Sequence, residues 1–151
     1  LDVPTVPWNK MIAATYSGDA YSYWDEGTCS YPGHTIGVKA EETAEGNIIT
    51  FTNFSPLAVA NKFPSVVTAV FDTETRVATI QLDEYSTFDT GLSSAGIYAV
   101  PMEPVEDDYE PADYMTIVFS EDYSQMGVQC FGEQGAEGWY EITLPTVYKA
   151  N

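Results

Sequence analysis

The sequence predicts an all-β protein, most simply an antiparallel up-and-down barrel of about eight to ten strands, with a β-sandwich or jelly roll as the alternative. Three observations lead there. Short segments with period-two apolar alternation recur along the chain, separated by Gly, Pro, Asp, Asn and Ser; no window carries the i, i+3, i+4 stripe of an amphipathic helix; and 44% hydrophobic with 14% aromatic residues is enough for a packed core. The 151 residues fit one domain, residues 1–151. With no crossover helix, a parallel α/β sheet is not expected. Neither G-x-G-x-x-G nor a Walker loop occurs, so no cofactor is expected either.

In chain order, residues 11–17 and 20–24 are expected to form an opening hairpin around Gly18-Asp19. Residues 34–40 and 47–54 flank an acidic turn over 41–46, closed by Gly46, which tolerates positive φ. Residues 55–65 (SPLAVANKFPS) set Leu57, Val59 and Phe63 between Pro56 and Pro64, as if to fold over one end of the sheet like a lid. The clearest hairpin joins 66–71 to 76–82 through Asp72-Thr73-Glu74-Thr75. Its Val, Ile, Thr and Phe suit a half-buried pleat, and its Asp can bond its own turn. Residues 96–101 make another strand, and 102–113 (MEPVEDDYEPAD) is expected to be a solvated acidic loop without a strand. Residues 114–119 pair with 125–131 through 120–124, and 139–144 follows as the third strand of a meander.

Charge excludes several functions. Five Lys and Arg against 23 Asp and Glu give a net charge of −18, so the protein repels phosphate backbones and anionic lipid headgroups, and nucleic-acid partners are excluded. No apolar run reaches the roughly 18 residues of a membrane span. Leu1-Asp2-Val3-Pro4 lacks the basic and apolar regions of a signal peptide, and the chain reads as mature or trimmed.

Candidate chemistry is sparse. The single histidine, His34, shares strand parity with Ile36 and Val38 and is expected to pack half-buried; no G-x-S-x-G elbow accompanies it, which disfavours a Ser-His hydrolase. One His and two separated Cys are too few for a structural zinc site. Asp107, Asp108 and Glu110 are close enough for calcium, yet the EF-hand pattern is absent and a solvated loop is the simpler reading; no metal site is assigned. Cys29 and Cys130 meet if the first and last hairpins of a barrel become neighbours. A disulfide there would stabilise the fold by about 4 to 5 kcal/mol in the chain-entropy model. The other reading is two free buried thiols, because Cys130 shares parity with Met126 and Val128. Tyr16, Tyr21, Tyr23, Trp24 and Tyr31 form a dense aromatic cluster, in which Tyr21 and Tyr23 would share one face with Trp24 on the other. Such rings suit sugar faces, small apolar ligands and protein interfaces, and equally the core and rim of a β-sheet. Tyr21, Tyr23, Trp24 and Tyr31 are the candidate ligand-binding residues; no catalytic residue is assigned.

The stretch Asn47-Ile48-Ile49-Thr50-Phe51-Thr52-Asn53-Phe54, followed by segments 66–72 and 76–82, resembles secreted lipoproteins of gut bacteria whose lipocalin-like (calycin-like) β-barrel domains have no assigned function. The resemblance is one of strand and turn order, close over 47–82 and looser over 11–144. It departs from true lipocalins near the start, where Trp8 lacks a Gly two residues before it, and no lipid-bearing cysteine is present. The resemblance implies an extracytoplasmic protein, in the periplasm or on the cell surface, with any lipid anchor lying outside this sequence. The expected function is a non-enzymatic binding or interaction module for a glycan or small apolar ligand. Its rivals are a glycan hydrolase built on a carboxylate pair and a purely structural domain of a surface assembly.

Overall fold

A computed structural model describes residues 7–25 and 27–151. In chain order its elements are α1 (Trp8–Ile12), β1 (Ala14–Ala20), β2 (Tyr31–Thr43), β3 (Gly46–Thr52), α2 (Pro56–Ala60), β4 (Val66–Asp72), β5 (Val77–Thr79), β6 (Tyr98–Val105), β7 (Asp108–Pro111), β8 (Thr116–Phe119), β9 (Gln125–Val128), β10 (Phe131–Gly135), β11 (Gly138–Thr143) and β12 (Thr146–Ala150). Eight strands close into a barrel in the order β1-β12-β9-β8-β5-β4-β3-β2, and β11-β10-β6-β7 form a second, curled sheet. Every pairing is antiparallel, and β1 closes on β12 through Tyr16–Ala150 and Ser17–Lys149. The barrel is thus an up-and-down meander interrupted by two excursions, β6–β7 and β10–β11, that leave it and pair with each other.

Alternating strand direction sorts the connections by end. The turns β2–β3, β4–β5 and β8–β9 are short and share one end, whereas the connections 21–30, 53–65, 80–115 and 129–145 all leave from the other. The short-turn end is plugged by α1. Ile12 is fully buried, the Tyr16 hydroxyl donates to the carbonyls of Ile12 (3.1 Å) and Tyr123 (2.9 Å), and Trp8 stacks on Phe71 at 5.2 Å. At the other end, the second sheet lies over the barrel through Phe54, Phe88 and Phe131, with ring centroids 5.3 to 6.3 Å apart. Between the two plugs, Tyr16, Ile36, Ile49, Phe51, Phe71, Ile117, Phe119, Met126 and Tyr148 fill the lumen, as an eight-stranded barrel just accommodates. The interior is a packed core, and the larger depressions, such as one of 540 Å³ lined by Val70, Asp72, Val77 and Thr79, lie on the outer wall.

The predicted hairpin around Asp72 is present with Val70–Thr79, Phe71–Ala78 and Asp72–Val77 in register, and the Asp72 carboxylate accepts the amides of Glu74 (2.8 Å) and Thr75 (3.2 Å). The β2–β3 hairpin is longer than expected, leaving only Ala44 and Glu45 between the strands. Four expectations are corrected. Gly18-Asp19 is no turn: β1 continues through it with a shift of register against β2 between Gly18 and Ala20, and Gly18 is there because a Cβ would meet the Val147 carbonyl of β12 at 2.6 Å. The acidic stretch 102–113 is no loop but the β6–β7 hairpin, turning at Glu106 (φ 53°); its charges and prolines are tolerated because β7 is an edge strand. Residues 125–131 are two strands rather than one. The Gln129 side chain holds the break, its Oε1 accepting the Thr116 amide (2.9 Å) while its Nε2 donates to the carbonyls of Met102 (3.0 Å) and Tyr114 (2.9 Å). Consequently β11 pairs with β10, and it is β12, outside the expected meander, that lies beside β9. The segment 55–65 forms the one-turn helix α2 at the covered end, with Ser55 and Ala58 buried.

Candidate functional site

Residues 21–24 run along the free edge of β11: the Tyr23 amide donates to the Ile142 carbonyl (2.8 Å), the Leu144 amide to the Tyr21 carbonyl (2.9 Å), and Ser22 bridges Thr143. The sheet is thereby extended to a fifth strand-like edge, opposite β7. In a flat sheet the two edges would lie about 19 Å apart at the usual strand spacing. Here the Tyr23 hydroxyl donates to Asp108 Oδ1 of β7 at 2.9 Å, which only the curl permits. The amide of Tyr109 and then this hydroxyl hold the Asp108 carboxyl below its ordinary pKa.

The side of this cap sheet turned away from the barrel has a small core of Met102, Cys130 and Ile142, against which Tyr23, Val100 and Tyr109 pack. Around it stand open rings. Trp139 lies over Gly132, where a Cβ would meet its ring at 2.4 Å. Tyr98 and Trp139 flank Gln134 in the ladder and so share its face. Trp24 meets Tyr23 edge-on at 5.6 Å. Trp24, Tyr98 and Trp139 are 53%, 46% and 37% exposed.

The side turned toward the barrel carries a buried acidic pair. Glu133 of β10 and Glu141 of β11 are register partners, in the same row as Ala99 of β6. Glu133 is fully buried; the Ser55 hydroxyl donates to both its oxygens at 2.9 Å, and Thr90 Oγ1 donates to Oε2 at 2.7 Å. Burial pushes the Glu133 carboxyl up to about 7, and the neighbouring Glu141 adds to the rise against the two hydroxyls. Glu141 accepts Ser22 Oγ (2.5 Å), the Tyr31 hydroxyl (2.5 Å) and the Ile142 amide (3.1 Å). Thr143, two residues along the same face, has a buried hydroxyl with no partner among the described residues.

The four tyrosine and tryptophan candidates do not converge. Tyr23 packs on the cap's outer core and meets the exposed Trp24 ring edge-on; Tyr21 is exposed on the edge; Tyr31 points the other way, into the bond with Glu141. Cys29 and Cys130 are free thiols, so of the two readings the disulfide is not formed. Cys29 Sγ lies 3.5 Å from the Ala20 carbonyl, and burial raises Cys130 to about 12. His34 is buried at the covered end, its Nε2 2.8 Å from the Asn53 carbonyl and its Nδ1 2.8 Å from the Tyr148 hydroxyl, and burial lowers its pKa. Asp107, Asp108 and Glu110 sit in the β6–β7 hairpin, and no group of three or more His, Cys, Asp or Glu among the described residues is placed to hold a metal. Among the described residues no helix is long and apolar enough to cross a membrane. Sequence reasoning missed Tyr98, Trp139, Glu133 and Glu141. The two glutamates carried one signal, a carboxylate at inward parity in a short strand, but that parity depends on where the strands break.

No protein-family profile, curated protein or solved structure matches the chain.

Proposed function

We propose that this domain is a non-enzymatic binding module of a bacterial periplasm or surface, lipocalin-like in plan, that captures a neutral glycan on the outer face of its cap sheet. The observation that supports it is the set of exposed rings on this sheet, Trp24 beside Tyr23 at one edge and Tyr98 and Trp139 on either side of Gln134. Sugar rings present flat C–H faces that stack on such rings, while their hydroxyls donate to carboxylates. A net charge of −18 disfavours sulfated or uronate-rich polymers. The filled lumen, in contrast, leaves no room for an internal ligand. The hydrolase reading has a carboxylate pair in unequal environments, Glu133 and Glu141, but both are sealed between cap and barrel.

Affinity gel electrophoresis through a panel of neutral polysaccharides tests the proposal. Retardation by at least one, lost in Trp24→Ala or Trp139→Ala with unchanged thermal stability, is the expected outcome. Unretarded migration through the whole panel would overturn it.

A further inference from the structure

Glu133 and Glu141 face each other directly across adjacent antiparallel strands, the position at which Cβ atoms approach to about 5 Å and like charges are destabilising. Both are buried. Nothing in the pair's surroundings compensates two charges: among the described residues the hydrogen-bond partners are the hydroxyls of Ser55, Thr90, Ser22 and Tyr31 and one backbone amide. The titratable group facing the pair is Tyr31 of β2, whose own pKa is raised by burial and by its bond to Glu141, with Glu133 and Asp25 adding to the rise. The covered end's other contributions are neutral, Ser55 at the start of α2 and Thr90 in the connection before β6. These contacts also tie the cap to the rest of the molecule. Glu133 reaches Ser55 and Thr90, Glu141 reaches β2 through Tyr31, and beneath them Phe54, Phe88 and Phe131 seal the barrel end.

We infer that the Glu133–Glu141 pair is a protonation-controlled latch on the cap sheet: with one carboxyl protonated the cap stays seated on the barrel, and with both ionised it loosens and uncovers the Phe54–Phe88–Phe131 rings. Two carboxylates in a water-poor site cannot both ionise without strain, so the proton is held until the environment opens. The elevated Glu133 carboxyl places the release around neutral pH. The inference does not depend on what the outer face binds.

Native-state amide exchange of the full chain from pH 5.5 to 8.5, corrected for intrinsic exchange rates, tests it. Amides of β6, β10 and β11 should lose protection about tenfold for each pH unit up to about 7 and level off above it, where the pair is fully ionised, while those of β3 and β4 hold. Glu133→Gln should leave the cap's protection independent of pH, whereas Glu141→Gln, which removes the opposing charge but not the burial of Glu133, should weaken the pH dependence without abolishing it. A parallel loss of protection in cap and barrel, or a pH dependence surviving in Glu133→Gln, would overturn the inference. Should neither variant fold, the cap-against-barrel contrast in the unmodified protein decides alone.

Discussion

The hydroxyl of Tyr23 donates to the carboxylate of Asp108 across the full width of the cap sheet, joining its first edge to its last. This bond fixes the β6–β7 hairpin over the small core of Met102, Cys130 and Ile142. Tyr23→Phe keeps the ring and removes the donor. It should lower the melting temperature slightly and raise amide exchange in β7 while leaving the barrel strands unaffected. Unaltered exchange at 108–111 would mean that packing alone holds the curl.

How much of this was legible in the sequence differs from strand to strand. Val66 to Asp72 alternates out and in at every residue, so β4 and its hairpin with β5 could be read directly. Gly18 could not, since the residue that excludes a side chain there, Val147, comes from the far end of the chain. The cap sheet was hidden for a similar reason. Pro104, Pro111 and five carboxylates between Glu103 and Glu110 have loop composition, and only the pairing of β6 with β10 makes a sheet of them. The barrel's closure was legible as a class, its two excursions were not, and the buried glutamates depend on those excursions.

Phe119 is the centre of the lumen, with Tyr16, Phe51, Phe71 and Tyr123 at ring-centroid distances of 5.8 to 6.5 Å. Phe119→Ala should cost about 3 to 5 kcal/mol and lower the melting temperature by about 10 °C, because well-packed neighbours cannot collapse into the space. Thermal unfolding of the variant checks this. A loss below about 1 kcal/mol would mean that the lumen is looser than its packing indicates.

Gly132 lies beneath the Trp139 ring, so a methyl group there must displace the indole. Gly132→Ala should cost about 1 to 3 kcal/mol and shift tryptophan emission to longer wavelength as the ring lifts into water. Emission and stability both unchanged would place Trp139 elsewhere and weaken the glycan-binding face.

The two thiols should differ in reactivity. Cys130 is buried and its thiolate is disfavoured, whereas Cys29 is half-buried. Alkylation of the native protein should label Cys29 alone, and alkylation after denaturation without reductant should label both. Protection of both after denaturation would establish the disulfide instead.

His34 and Glu133 titrate at the same end of the barrel with opposite effects on stability. If the His34 proton is on Nε2, donated to the Asn53 carbonyl, Nδ1 accepts the Tyr148 hydroxyl, so the ring is satisfied as the neutral form. Its lowered pKa makes its contribution complete above the unfolded value near 6.5 and lost as pH falls through the folded value. Glu133 is raised from 4.5 to about 7, so its contribution is complete below about 4.5 and lost as pH rises through about 7. Where the two ranges overlap the slopes oppose. The variants separate them. Relative to the parent, Glu133→Gln should gain about 3 kcal/mol between pH 4.5 and 7, near 10 °C in melting temperature, at 1.4 kcal/mol per pKa unit. His34→Gln should gain as pH falls below 6.5. Differences against the parent cancel the general repulsion of the −18 charge, which acts on all three proteins nearly alike. Parallel stability curves for parent and Glu133→Gln would show that the buried carboxyl keeps an ordinary pKa, and would remove the basis for a release near neutral pH.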